Sequence, residues 1–184
     1  SFSTVPYYTM GIPRDVTLYY TEAREHPRPV IYADVGVDTA TPSQYTLAAT
    51  LNGTRVTFLN GDTTLYFSGS NSPVRLAGQF DASAYSTGVY TLVTTVPGTL
   101  PGIVKTHSYT QAFAIVNESN SAIAHGWTLA GLQHLYISGS EYLVTDGDGS
   151  ATIFTGLGTG AADYTQLTYD AADTCYVRAY PDSS

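Results

Sequence analysis

The run Asp146-Gly-Asp-Gly-Ser150 alternates side-chain oxygens with glycine, a pattern that can wrap a hard cation. Asp146, Asp148 and Ser150 would supply the carboxylate and hydroxyl oxygens, and the glycines would let the backbone curl around calcium. The full calcium-loop pattern needs a third acidic position and a distal glutamate, and neither is present. Flanked by Leu143-Val144 and Ile153-Phe154, the run also reads as a tight hairpin turn, which is the simpler expectation. Calcium is the one cofactor left open.

Other chemistry is thin. His26, His107, His125 and His134 show no metal-ligand spacing, and neither an HExxH nor a CxxC pattern occurs. No G-x-S-x-G elbow is present to hold a nucleophilic serine. Fifteen acidic residues offer many carboxylate pairs, but none stands out as a glycosidase pair. The expectation is a protein that is not an enzyme. Cys175 is the single cysteine, so no disulfide forms within the chain. It reads as a semi-buried thiol in a strand, or as a bond to a neighbouring copy. Trp127 and the sixteen tyrosines could stack on sugar rings, which keeps a glycan partner open. The apolar setting of Trp127, with Leu129 and Leu132, instead suggests that these side chains and Tyr90 fill a junction between two halves.

Composition narrows the class. With 43% hydrophobic residues the chain can bury a core. Only 12% are charged, against about 25% in ordinary soluble domains. Abundant Thr, Val and Tyr suit the pleated, half-buried surface of strands, so an all-β fold is expected. Net charge is −8, with Lys105 the single lysine, which excludes a phosphate-gripping nucleic-acid binder. No apolar run reaches the ~18 residues of a membrane-crossing helix, so no membrane insertion is expected. No basic, then apolar leader opens the sequence, so any signal peptide is expected to have been removed or to lie outside it. The lysine-poor, Thr/Ser/Gly/Tyr-rich balance suits an extracellular or cell-surface bacterial protein.

Along the chain, residues 1–14 read as an uncharged extended arm or first strand, whose Val5, Tyr7, Tyr8 and Ile12 form a candidate assembly arm. Residues 15–120 read as an immunoglobulin-like β-sandwich of short strands at 8–12-residue spacing. Within it, residues 22–29 read as a charged loop. Asn52-Gly53 and Asn60-Gly61 predict two successive hairpins in a three-stranded meander. Pro97-Gly98 and Pro101-Gly102 predict a loop, and Tyr90 suits a tyrosine corner. Residues 121–184 read as a smaller unit of short hairpins at 132–137, 142–145, 151–154, 164–168 and 175–180.

The text of that second half is recognisable. Gly126-Trp-Thr-Leu-Ala-Gly-Leu132, then Tyr142-Leu-Val-Thr-Asp-Gly-Asp-Gly-Ser150 and Ile153-Phe154, resembles the entry to the shell of bacterial RHS/YD-repeat proteins. Gln79-Phe-Asp-Ala-Ser83, Gly88-Val-Tyr90, Val16-Thr-Leu18, Arg28-Pro-Val30 and Thr174 to Asp182 are similar to segments around it. The family's Ser-Pro-Phe-Gly-type run is replaced by Ser121-Ala-Ile-Ala-His125, and the long array of Tyr-Asp repeats is missing. The resemblance implies an immunoglobulin-like sandwich followed by the first hairpins of an RHS/YD shell. It also implies a non-catalytic structural role in a fibre, wall or shell, with other copies or the rest of a longer RHS-type chain as partners. An adhesin or carbohydrate-binding module, or a fragment of a toxin-carrying RHS protein, are the alternatives.

Overall fold

A computed structural model describes residues 3–5, 18–35, 44–68, 74–100 and 103–180. The fold is all-β, with five open antiparallel sheets and a single helical turn among those residues. They divide into two compact units: one of residues 28–84 and 90–113, the other of residues 1–27, 85–89 and 114–184.

The unit of residues 28–84 and 90–113 is sandwich-like. One sheet pairs β3 (Val30–Val35) with β7 (Val74–Gln79). The other is built on β4 (Gln44–Leu51), an eight-residue strand whose alternate residues Tyr45, Leu47, Ala49 and Leu51 are all buried. That period of two is what a one-sided strand requires. On one edge β4 meets β5 (Thr54–Arg55) at its C-terminal end and β6 (Leu65–Ser68) at its N-terminal end. On the other it meets β8 (Gly88–Leu100), which in turn borders β9 (Ile103–Ile115). Ile31, Ala33 and Leu76 from the small sheet, and Leu92 and Val96 from β8, complete the core with the four β4 side chains. Each such buried aliphatic side chain contributes roughly 1.5–3 kcal/mol.

Asn52-Gly53 forms the expected hairpin turn: both residues have positive φ, 46° and 81°, as a type I′ turn demands. Asn60-Gly61 does not form the second one. Asn60 is not among the positive-φ residues, and its side chain instead closes a local loop with Asp62. The meander is broken because Val56 and Phe58 are buried, 2% and 3% exposed, and draw the chain off the β4 edge. Phe58 bridges Phe80, and the Leu59 amide donates to the Gln79 carbonyl at 2.9 Å. β6 then returns to β4. The predicted loop at 97–102 is also shorter than expected, because β8 runs on through Pro97 to Leu100. Pro97 has no N–H to give, and the β4–β8 register skips it: Tyr45 faces Gly98 and the next partners are Ala48 and Thr95.

The other unit takes in residues that the hydrophobic pattern assigned to the sandwich. Residues 18–27 group with 114–180 rather than with the sandwich strands. The reason is strand pairing: β2 (Leu18–Tyr20) lies between β1 (Ser3–Val5) and β10 (Trp127–Leu129). Residues Glu22–Glu25, expected as loop, form one helical turn, α1. Three-stranded β11–β12–β13 (His134–Ser138, Glu141–Thr145, Ala151–Phe154) and the β14–β15 hairpin (Gln166–Asp170, Cys175–Ala179) follow. Val144, Phe154 and Leu167 join these last two sheets in a small core rimmed by Leu135, Tyr142 and Ala161. Tyr164, expected in a strand, sits in the preceding turn at φ 63° and is 80% exposed.

Candidate functional site

The Asp146–Ser150 run is a hairpin turn joining β12 to β13, closed by the Asp146 amide on the Ser150 carbonyl at 2.9 Å. Its acidic side chains are engaged by protein donors. Asp148 Oδ1 accepts from the Ser150 amide and hydroxyl at 2.9 and 2.8 Å, which holds its carboxyl below the ordinary range. Asp146 accepts from Gln133 Nε2 and, at 3.0 Å, from Arg178 Nη1. Among the described residues no cluster of three or more His, Cys, Asp or Glu side chains is gathered to hold a metal ion. Where calcium was left open, two guanidinium groups stand: Arg178 on Asp146, and Arg24 donating to the Ser150 carbonyl at 3.1 Å.

Contact with β10 explains the run's first glycine, Gly147. Its Cα lies so close to β10 that an added Cβ would overlap the Leu129 carbonyl oxygen. Thr128 Oγ1 donates to the Gly147 carbonyl at 2.9 Å, fastening the turn to the same strand. The turn is therefore a structural hub, tied to β10, to α1 through Arg24 and to β15 through Arg178. Arg24 is only 5% exposed, and burial lowers its pKa against the opposing pull of Glu118, Asp148, Tyr136 and Asp146.

Arg178 is the residue that sequence reading missed. Its side chain is 10% exposed and its fork reaches four acceptors: Asp146, Asp163 at 2.6 Å, Thr152 Oγ1 at 3.1 Å and Thr165 Oγ1 at 3.3 Å. Burial alone would lower its pKa, but the bonds to Asp146 and Asp163 raise it. The Thr165 hydroxyl, backed by the Thr165 amide and Arg178, brings the Asp163 carboxyl down from 3.8 to about 2. A depressed carboxylate stabilises the fold above its unfolded pKa and loses that contribution as pH falls through the folded value. Asp163→Asn is therefore expected to flatten the acid loss of stability between pH about 4 and about 2, read by urea unfolding at stepped pH. An unchanged acid limb would show that this pairing carries no linkage.

The remaining sequence candidates are scattered. Trp127 is half-buried against Tyr20, its cross-strand partner, with ring centroids 5.5 Å apart. Leu129 is half-buried on the same strand, Leu132 is 42% exposed, and Tyr90 belongs to the other unit. Val5 of the candidate arm pairs with Leu18 in the same chain, so Ser3–Val5 is an intrachain strand rather than an unpaired arm. Tyr7, Tyr8 and Ile12 lie outside the described residues. Cys175, expected semi-buried, is exposed on β15. All four histidines are exposed and on separate segments.

The sandwich-like unit ends in a different kind of surface. β9 is an edge strand of thirteen residues, and from Thr106 to Gln111 every side chain is exposed on both faces. Beside it, Tyr32, Ala33 and Asp34 of β3, Thr94 of β8, and Tyr109 and Gln111 of β9 line a cleft of about 220 Å³. Asp34 is held by its cross-strand partner Arg75 in a two-pronged pair, 2.6 and 2.8 Å, and that hydrogen bonding lowers its pKa. Arg75 also lies over the Tyr32 ring, 4.8 Å from its centroid.

No protein-family model, curated protein or solved structure matches this chain. Function rests on these surfaces and on the hub.

Proposed function

We propose that the chain is a non-catalytic structural module of a secreted or cell-surface bacterial protein, assembling by β-strand pairing into a fibre, wall or shell. The observation that carries this reading is the β9 edge. An edge strand presents a row of unpaired N–H and C=O groups, and proteins ordinarily blunt it with charge, proline or a cover. Here no acidic residue occurs between Asp81 and Glu118, and Lys105 and His107 are the only basic side chains in that stretch. A chain of net charge −8 repels its own copies over most of its surface, but not along this edge, which carries no acidic side chain. The outer edges of β11, β13 and β15 are further pairing sites, in keeping with the resemblance to RHS/YD shell entries.

Sedimentation velocity across a concentration series, with negative-stain microscopy, tests it. The expected result is growth to discrete assemblies with concentration. Ser108→Lys with Thr110→Lys, which sets like charges along the edge, should return the protein to monomer with Trp127 fluorescence unchanged. A monomer at every concentration would overturn the reading.

A further inference from the structure

The cleft between β3 and β9 goes beyond assembly, because its lining suits a small ligand. We propose that it is a saccharide-binding site that seats one ring of an uncharged oligosaccharide. Three features of the lining point to that chemistry. Tyr109 and Tyr32 are 55% and 57% exposed, so broad ring faces stand at the surface rather than in the core. The face of an aromatic ring is electron-rich, and the C–H face of a pyranose lies favourably on it while the phenol hydroxyl stays wet. Fixed polar groups then stand beside the rings: the Asp34 carboxylate, the Gln111 amide and the Thr94 hydroxyl.

The charge balance argues for a neutral ligand. Asp34 is the one ionised group in the lining, and Arg75 already neutralises it. A phosphorylated or cationic ligand would find no uncompensated charge there. What the pair leaves is acceptor capacity, since each carboxylate oxygen offers more than one lone-pair direction. Two adjacent sugar hydroxyls can donate to a carboxylate whose orientation Arg75 has already fixed, at little further entropic cost. Arg75 also covers Tyr32, which makes Tyr109 the main stacking platform. Size fits as well: the 220 Å³ cleft is below the roughly 300–1,000 Å³ of pockets that enclose a whole drug-sized molecule. It therefore grips part of a chain. The second groove of this unit, about 480 Å³ and lined mainly by Val30, Phe58, Leu59, Leu65 and Ala77, lacks any ionisable side chain and does not share this chemistry.

The test is an array of uncharged oligosaccharides built from hexoses, N-acetylhexosamines, pentoses and deoxyhexoses, followed by saturation-transfer NMR on the full chain with any sugar that binds. At least one neutral glycan should bind. Tyr109→Ala and Asp34→Asn should each weaken it tenfold or more, while Tyr66→Ala, at a still more exposed tyrosine on β6, should leave it unchanged. Near-ultraviolet circular dichroism checks that each variant is folded. An array without a neutral hit on folded protein overturns the proposal, and so does undiminished binding by Tyr109→Ala. If Tyr109→Ala alters sedimentation while no sugar binds, the cleft belongs to the strand-pairing edge and the saccharide site falls, whatever becomes of assembly.

Discussion

Replacing Gly147 with alanine is expected to unfold the β10-containing unit at markedly lower temperature. The new Cβ would overlap the Leu129 carbonyl oxygen, which is backbone and cannot swing aside like a flexible side chain. Either the turn lifts from β10 and Thr128 loses its bond to the Gly147 carbonyl, or β10 shifts away from β2. Overpacking of this kind costs about 3 kcal/mol or more when backbone is the obstacle. In a chain of this length that lowers Tm by roughly 6–12 °C. Trp127, two residues from Leu129 and the sole tryptophan, reports the transition directly. Gly160→Ala is the control, because nothing lies within 4 Å of its added Cβ, and Tm should hold within about 2 °C. Equal melting of Gly147→Ala and the parent would mean that the turn does not dock on β10.

The second large effect belongs to Arg178. Arg178→Met keeps much of the side chain's length and removes every donor, leaving Asp146 at 18% and Asp163 at 40% side-chain exposure without their cation. Breaking a buried pair from one side costs about 3–5 kcal/mol, and water reaching Asp163 puts this case near the lower end. Lysine should not restore it, since one ammonium cannot span acceptors on Asp146, Asp163, Thr152 and Thr165 in the plane of the fork. Adding Asp146→Asn and Asp163→Asn to Arg178→Met should recover about 1 kcal/mol by removing the stranded charges. Urea unfolding of the three variants beside the parent decides it. Full rescue by lysine would show that charge alone, without the fork, holds β15 to the turn.

The all-β class was legible because period-two burial and turn chemistry are local. β4 alternates as its side chains dictate, and Asn52-Gly53 turns where the dipeptide requires positive φ. Asn60-Gly61 carries the same dipeptide but fails, because burial of Val56 and Phe58 is decided by a distant sheet. Pro97 misled in the other direction: a missing N–H removes one ladder bond without ending a strand that both neighbours hold. The division into units was invisible for a similar reason, since β2 finds its partner β10 more than a hundred residues later. At the Asp146–Ser150 run, the five residues show the turn and its acids. Only the fold shows that Arg24 and Arg178 come to it from opposite ends of the sequence. An isolated arginine in Val177-Arg178-Ala179 carries no local signal of its four acceptors.

Amide hydrogen exchange, read by mass spectrometry at low and high protein concentration, tests strand pairing most directly. If β9 pairs with another chain, amides within Thr106–Gln111 will exchange more slowly as concentration rises, while those of β4, already bonded on both edges, will not change. Exchange at 106–111 that stays fast and independent of concentration, on a fully folded protein, would contradict assembly through this edge.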